Sequence, residues 1–158
     1  MPAAAVIRPA QASDLGEILL LCAEHAAFER ASFCPEKARG SLGRFLFGER
    51  PRARCLVAEV AGSIVGYATY ALEFSTWRAA EYVHMDCLFV RAGFRDAGLG
   101  RLLLAEVGQA AVALGCDFVE WQTPAWNRDA IRFYDRAGAV KSAKKRYRWR
   151  VGNGWGRV

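Results

Sequence analysis

Apolar residues along the chain switch between alternating and helical spacing, and the switches mark out the elements. Val6-Ile7-Arg8 reads as a short strand. Ser13-Asp14 offers a helix cap, and Leu15, Ile18, Leu19, Cys22 and Ala26 then recur on one side of a helix predicted to run to about Glu29. Pro35 suits the first turn of a second helix that carries Leu42, Phe45 and Leu46 and closes near Gly48, the two helices forming an N-terminal cap. Residues 55–60 and 63–70 are strand-like runs separated only by Ala61-Gly62, which predicts an antiparallel hairpin. A strand over 82–90, a helix to about Leu114, a strand over 117–123, a helix from Asn127 and a terminal strand complete the order. No internal repeat or low-complexity linker interrupts it.

The strand over 82–90 is read by parity, since successive side chains point to opposite faces of a sheet. Tyr82, His84, Asp86, Leu88 and Val90 share one face, while Val83, Met85, Cys87 and Phe89 make the apolar, core-facing one; a β-bulge would reverse the parity beyond it. Asp86 therefore turns away from the core, and His84 is either its support or a half-exposed strand residue. Directly after the strand, residues 91–101 read R-A-G-F-R-D-A-G-L-G-R and lead into a helix. Strand, glycine-bearing turn and helix start form an anion cradle: Gly98 and Gly100 let the backbone approach a ligand, and the N–H groups of the first helical turn point at it. The spacing Arg95-x-x-Gly98-x-Gly100 lacks the defining residues of the G-x-G-x-x-G dinucleotide loop and of the P-loop, and taken alone it also reads as a plain turn. Further on, Asn127 suits an N-cap and Gly138 a C-cap. Tyr134 falls at the edge of that helix's apolar stripe, where a packed tyrosine and a catalytic hydroxyl are both open.

Composition narrows the class. With 158 residues, 53% apolar and 24% charged, the chain is expected to be one globular α/β domain spanning residues 1–158, which excludes disordered and fibrous classes. No apolar run approaches the roughly 18 residues that span a bilayer, and Met1 to Ala12 lacks the apolar core of a signal peptide, so a cytoplasmic location without a membrane partner is expected. Cys22, Cys34, Cys55, Cys87 and Cys116 are scattered and never form C-x-x-C, which predicts reduced, buried, apolar-like cysteines; with only His25 and His84 beside them, no metal site is expected. A net charge of +6 fits either a polyanionic ligand or a nucleic acid. Lys141, Lys144, Lys145, Arg146, Arg148 and Arg150 concentrate that charge, but Arg146, Arg148 and Arg150 alternate with Tyr147, Trp149 and Val151 as in a final strand with one solvated face, which accounts for the aromatics without a nucleic acid.

Taken together, Ile7-Arg8-Pro9, the loop over 91–101, Trp126-Asn127, Phe133-Tyr134 and Gly138-Ala139 resemble a whole GNAT acyl-CoA N-acyltransferase domain, and within it the spermidine/spermine and thialysine N-acetyltransferase group. The resemblance includes Phe28-Glu29, the run Cys55 to Val60 and Trp77. It implies a mostly antiparallel mixed sheet of about seven strands flanked by about four helices, acetyl-CoA as co-substrate, a small-molecule amine as acceptor, and a homodimer. It further implies that the backbone of Leu88, Phe89 and Val90 aligns the pantetheine arm, helped by Asn127. Arg95, Asp96, Ala97, Gly98, Leu99, Gly100 and Arg101 would wrap the pyrophosphate. Asp86 stands where the family's acidic residue accepts the amine proton, and Tyr134 where a tyrosine contacts the cofactor and protonates the departing thiolate. Phe28, Glu29, Trp77, Asp86, Trp121 and Gln122 match substrate positions.

The chemistry supports those roles. An alkylamine with a pKa of about 10.4 is mostly protonated near neutral pH and has no lone pair with which to attack, so something must take its proton. The intermediate then needs donors at its oxygen, and the thiolate leaves more readily beside a proton donor. No acyl-enzyme is required, so Cys87 need not be a nucleophile. The chain departs from the polyamine enzymes where their Glu-Asp pair is replaced by Asp86-Cys87 and a further acid by Ser75. That favours a small primary amine or an amino acid side chain over long polyamines. A non-catalytic acyl-CoA-binding module and a basic nucleic-acid-binding domain are the other readings.

Overall fold

The computed structural model describes residues 4–152; the ends of the expected 1–158 span lie outside the described residues. Met1–Pro124 form one unit and Ala125–Val158 another. The first carries β1 (Ala5–Pro9), α1 (Leu15–Phe28), α2 (Pro35–Phe47), β2 (Arg54–Val60), β3 (Ser63–Ser75), β4 (Ala80–Val90), α3 (Leu99–Ala113) and β5 (Val119–Glu120), with single 3-10 turns at Ala12–Asp14 and Ala92–Phe94. The second carries α4 (Arg128–Arg136). Among the described residues no helix is long and apolar enough to cross a membrane.

The strands lie side by side in chain order, antiparallel from β1 to β4 and parallel between β4 and β5. The result is a mixed α/β sheet with helices as expected, but with five strands among the described residues rather than about seven. Two expectations change, and of these only the missing terminal strand lowers the count. The 117–123 run shortens to Val119–Glu120, and the terminal strand does not form: residues 139–150 are irregular, and Lys141 to Arg150 are exposed. Alternation assigns two faces to a strand but does not supply the ladder partner a strand needs. The hairpin between β2 and β3 closes as predicted, with Ala61 and Gly62 at φ +50° and +77°, the positive values a two-residue turn of this hand requires.

The sheet is covered on both faces. Ile18 and Leu21 of α1 and Leu46 of α2 pack with Cys55, Val57, Ile64, Tyr67 and Phe89 in one buried cluster. On the other face, α3 packs across β1 to β4 and buries Leu99, Leu103 and Val107. A bulge in β4 corrects the parity reading. Met85 lies opposite Tyr70 and Cys87 opposite Thr69, which leaves Asp86 as an extra residue. Because Thr69 and Tyr70 point to opposite faces, so do Cys87 and Met85. Val83 and Met85 thus belong to the α3 side, whereas Cys87 and Phe89 join the helix α1/α2 side, rather than all four sharing one core face. The cysteines are free, as expected, but Cys34 is exposed rather than buried.

Asp14 serves the fold differently from the predicted cap of α1. Its side chain makes no capping bond to that helix. Instead Arg8 Nη1 and Nη2 donate to its two oxygens at 2.7 and 3.1 Å, and the N–H of Gln11 donates at 2.7 Å. Arg8 Nε reaches Glu59 on β2 at 3.0 Å, so one guanidinium ties the chain start to the sheet. Hydrogen bonds from Arg8 hold the Asp14 carboxyl below its ordinary range against the opposing effect of burial. A carboxyl depressed in the folded state stabilises above its unfolded pKa, and that contribution is lost as pH falls through the folded value. Asp14→Asn is expected to lower the unfolding free energy by about 2 kcal/mol at neutral pH. In denaturant titrations the gap to the parent should close as pH drops from about 4 toward 2; a pH-independent gap would contradict this account.

Candidate active site

The bulge sets Asp86 beside an open cavity in the first unit. Its carboxylate is 76% exposed and lies 3.9 Å from His84 Nε2, while Cys87 Sγ donates to its Oδ2 at 3.7 Å. The cavity, about 360 Å³, is lined by Leu42, Phe45 and Leu46 of α2, Arg52 and Ala53 of the following link, Thr69, Tyr70 and Ala71 of β3, and His84 and Asp86. Most of that lining is apolar. One carboxylate, one imidazole and one guanidinium are its charge-bearing groups.

Beyond the bulge, β4 has a free edge. β5 pairs with it only at Val83 and His84, so from Met85 to Val90 the edge away from β3 has no strand partner among the described residues. This stretch includes Leu88, Phe89 and Val90, and it leads directly into the glycine loop. There Asp96 and Gly98 adopt left-handed backbone at φ +62° and +80°. The first helical bond of α3 runs from Leu102 N to Gly98 O at 3.0 Å, so the N–H groups of Leu99, Gly100 and Arg101 stand ahead of the ladder. Arg95 Nε donates to Val90 O at 2.9 Å, and its guanidinium lies over the rings of Phe28 and Phe89 at 5.0 and 5.5 Å. Asp96, Ala97 and Arg101 are exposed. These helix-start N–H groups and exposed side chains are a donor set that suits a pyrophosphate.

A buried pair that sequence reasoning missed underlies Phe89. His25 Nδ1 and the Tyr67 hydroxyl share a 2.9 Å hydrogen bond, His25 Nε2 lies 3.4 Å from Glu29, and the imidazole stacks on Phe89 with centroids 5.0 Å apart. The available signal was a histidine three residues after Cys22, on the helix side that packs inward. Phe28 and Glu29 thus sit at the end of α1 with the loop-bound Arg95 and with His25. Trp77, Trp121 and Gln122 do not line the cavity: Trp77 is 99% exposed between β3 and β4, and the other two follow β5.

In the second unit, Asn127 is 8% exposed and its Oδ1 accepts the N–H of Ala130 at 3.2 Å, the predicted N-cap of α4. Gly138, at φ +86°, ends the helix with bonds from Gly138 N to Asp135 O and from Ala139 N to Tyr134 O, both 3.1 Å. Tyr134 is half-buried, edge-on to Phe133. Among the described residues no group of three or more His, Cys, Asp or Glu could hold a metal ion.

Residues 19–139 match the model of the acetyltransferase (GNAT) family. The chain belongs to the GNAT family. It is 30% identical over 142 residues to the thialysine N-epsilon-acetyltransferase of Bos taurus, covering 85% of this chain and 83% of the relative. To the enzyme of the same name from Mus musculus it is 33% identical over 141 residues, covering 84% and 82%. Among solved structures, an aminoglycoside N-acetyltransferase in complex with coenzyme A superposes at TM-score 0.81, covering 95% of this chain and 97% of that one at 16% identity. That likeness speaks for the fold of this GNAT chain.

Burial holds the His25 pKa below its ordinary value, against the upward pull of Glu29. A base depressed on folding contributes stability above its unfolded pKa of about 6.5 and loses it as pH falls toward the folded value. The parent protein should therefore lose stability in denaturant titrations taken from about pH 7 to pH 5, and His25→Asn should flatten that slope. A slope unchanged by the substitution would show that His25 does not carry it.

Proposed function

We propose that the protein is an acetyl-CoA-dependent N-acetyltransferase that acetylates a primary amine of a small molecule by direct transfer in a ternary complex. The observation that carries the reading is β4 itself: its free edge runs from an exposed carboxylate at the bulge into the anion cradle. The two units are read as one catalytic domain, because the family match runs through their boundary. The thialysine enzymes are relatives whose name specifies an amine acceptor, and transfer to an amine is what Asp86 beside an open cavity can serve.

In this reading the cradle residues 95–101 bind the pyrophosphate, and the backbone of Leu88, Phe89 and Val90, with Asn127, orients the pantetheine arm. Asp86 takes one proton from the acceptor ammonium, directly or through water, and frees the lone pair. The C–N bond forms and the C–S bond breaks, while backbone donors steady the charge on the carbonyl oxygen. Tyr134 protonates the departing thiolate and is reprotonated from the second nitrogen proton or solvent. Net, an ammonium and a thioester become an amide, a thiol and one released proton. The reading also includes homodimer assembly and a cytoplasmic location, and Phe28, Glu29, Trp77, Trp121 and Gln122 as further acceptor contacts.

Release of free thiol from acetyl-CoA against a panel of amines tests the proposal. Asp86→Asn and Tyr134→Phe should each lower kcat by about a hundredfold or more while calorimetric binding of coenzyme A holds. Coenzyme A binding without thiol release from any amine would leave a non-catalytic acyl-CoA-binding module in its place.

A further inference from the structure

We infer that Arg52 sets acceptor choice by pairing with an anionic group at the far end of the acceptor, so that the preferred amines carry a carboxylate or similar anion. The inference rests on the acetyl-transfer reading and deepens it. Asp86, at the same cavity, is the group that meets the reacting ammonium, and Arg52 is the one cationic side chain with a permanent charge in the lining. The rest of the lining is mainly apolar, with Phe45 and Leu46 of α2 offering a surface for an alkyl or aromatic spacer. Among the described residues Arg52 makes no ion pair, so its guanidinium is available to a ligand. The link that carries it reads Glu49-Arg50-Pro51-Arg52-Ala53-Arg54, three arginines to one glutamate.

This distribution discriminates by charge at both ends. A diamine would place its second ammonium toward the cationic link, where like charges repel. A monoamine gains the spacer contact alone. A zwitterionic amine satisfies Asp86 and Arg52 together, and a guanidinium matches a carboxylate with two parallel N–H···O bonds. The transfer step is the one already described, since the anion sits away from the reacting nitrogen and exchanges no proton or electron.

The test compares 6-aminohexanoate, hexylamine and 1,6-diaminohexane, with their shorter and longer homologues, as acceptors for thiol release. The parent should favour the amino acid series in kcat/KM by about tenfold or more over the monoamines, with diamines poorest. Arg52→Gln should remove about ten- to a hundredfold from the amino acid series, chiefly through KM, and cost hexylamine far less. Arg52→Lys should retain part of the preference, and Arg52→Glu should shift it to diamines. Equal use of the three series, or an Arg52→Gln loss shared by all of them, overturns the inference and leaves acetyl transfer standing. If no amine releases thiol, the transfer reading fails, and calorimetry decides the inference: tighter binding of 6-aminohexanoate than of hexylamine to the coenzyme A complex, lost in Arg52→Gln, upholds it, and equal binding overturns it.

Discussion

A bulge re-aims the side chains of a strand packed between helices, and β4 has its extra residue at Asp86. Without the extra residue, strict alternation would carry Cys87 and Phe89 to the α3 face along with Val83 and Met85. The face beneath α1 and α2 would then lose Phe89, which joins Tyr67 and Leu46 in the buried cluster there. With it, the strand buries apolar groups on both faces and still leaves a carboxylate exposed beside a cavity. The polar group stays in water, so no desolvation penalty has to be offset at the site.

The bulge also governs what happens on the other edge of β4. Parallel pairing with β5 stops at His84, two residues before Asp86. The shortness of β5 is therefore tied to the opening of the β4 edge over Met85 to Val90, and that edge flows into a loop whose N–H groups stand ahead of α3. On the opposite side, β3 holds this segment closely. A Cβ at Gly66 would come 2.9 Å from Phe89 O, a distance only a residue without one avoids. The backbone expected to receive the cofactor arm is thus fixed from behind by Gly66, Tyr67 and the His25 stack, and has no strand partner in front among the described residues.

The helices, the β2–β3 hairpin and the glycine loop were legible because each rests on a local rule: Pro35 at a first turn, two positive φ values at Ala61 and Gly62, a left-handed Gly98 before a helix. Asp86 was legible as a polar residue in an apolar run. What lay beyond the sequence was non-local. The place of the bulge depends on which β3 residue each β4 residue meets, and parity read along one strand contains no such partner. The terminal alternation of Arg146 to Val151 failed for the same reason, since alternation along one segment names no ladder partner. His25 and Tyr67 are far apart in the chain and meet only through the packing of α1 on β3. Arg52 gave no signal of its own within a basic link until the cavity set it beside Asp86.

The neighbour of Asp86 tests whether transfer needs a covalent intermediate. Cys87 stands next to the candidate base and is a nucleophile by residue type. Yet burial, and secondarily the Asp86 carboxylate, push its thiol pKa up to about 12. Near neutral pH only about one thiol in 10⁵ would then be ionised, and the thiolate is the reactive form. The Asp86 carboxylate does not activate the thiol by its charge, since an ionised carboxylate disfavours a second negative charge alongside. A carboxylate that suppresses the adjacent thiolate can still accept a proton from an ammonium, because that transfer removes charge from both partners. The raised thiol pKa of Cys87 therefore agrees with the proposed attack by the amine itself.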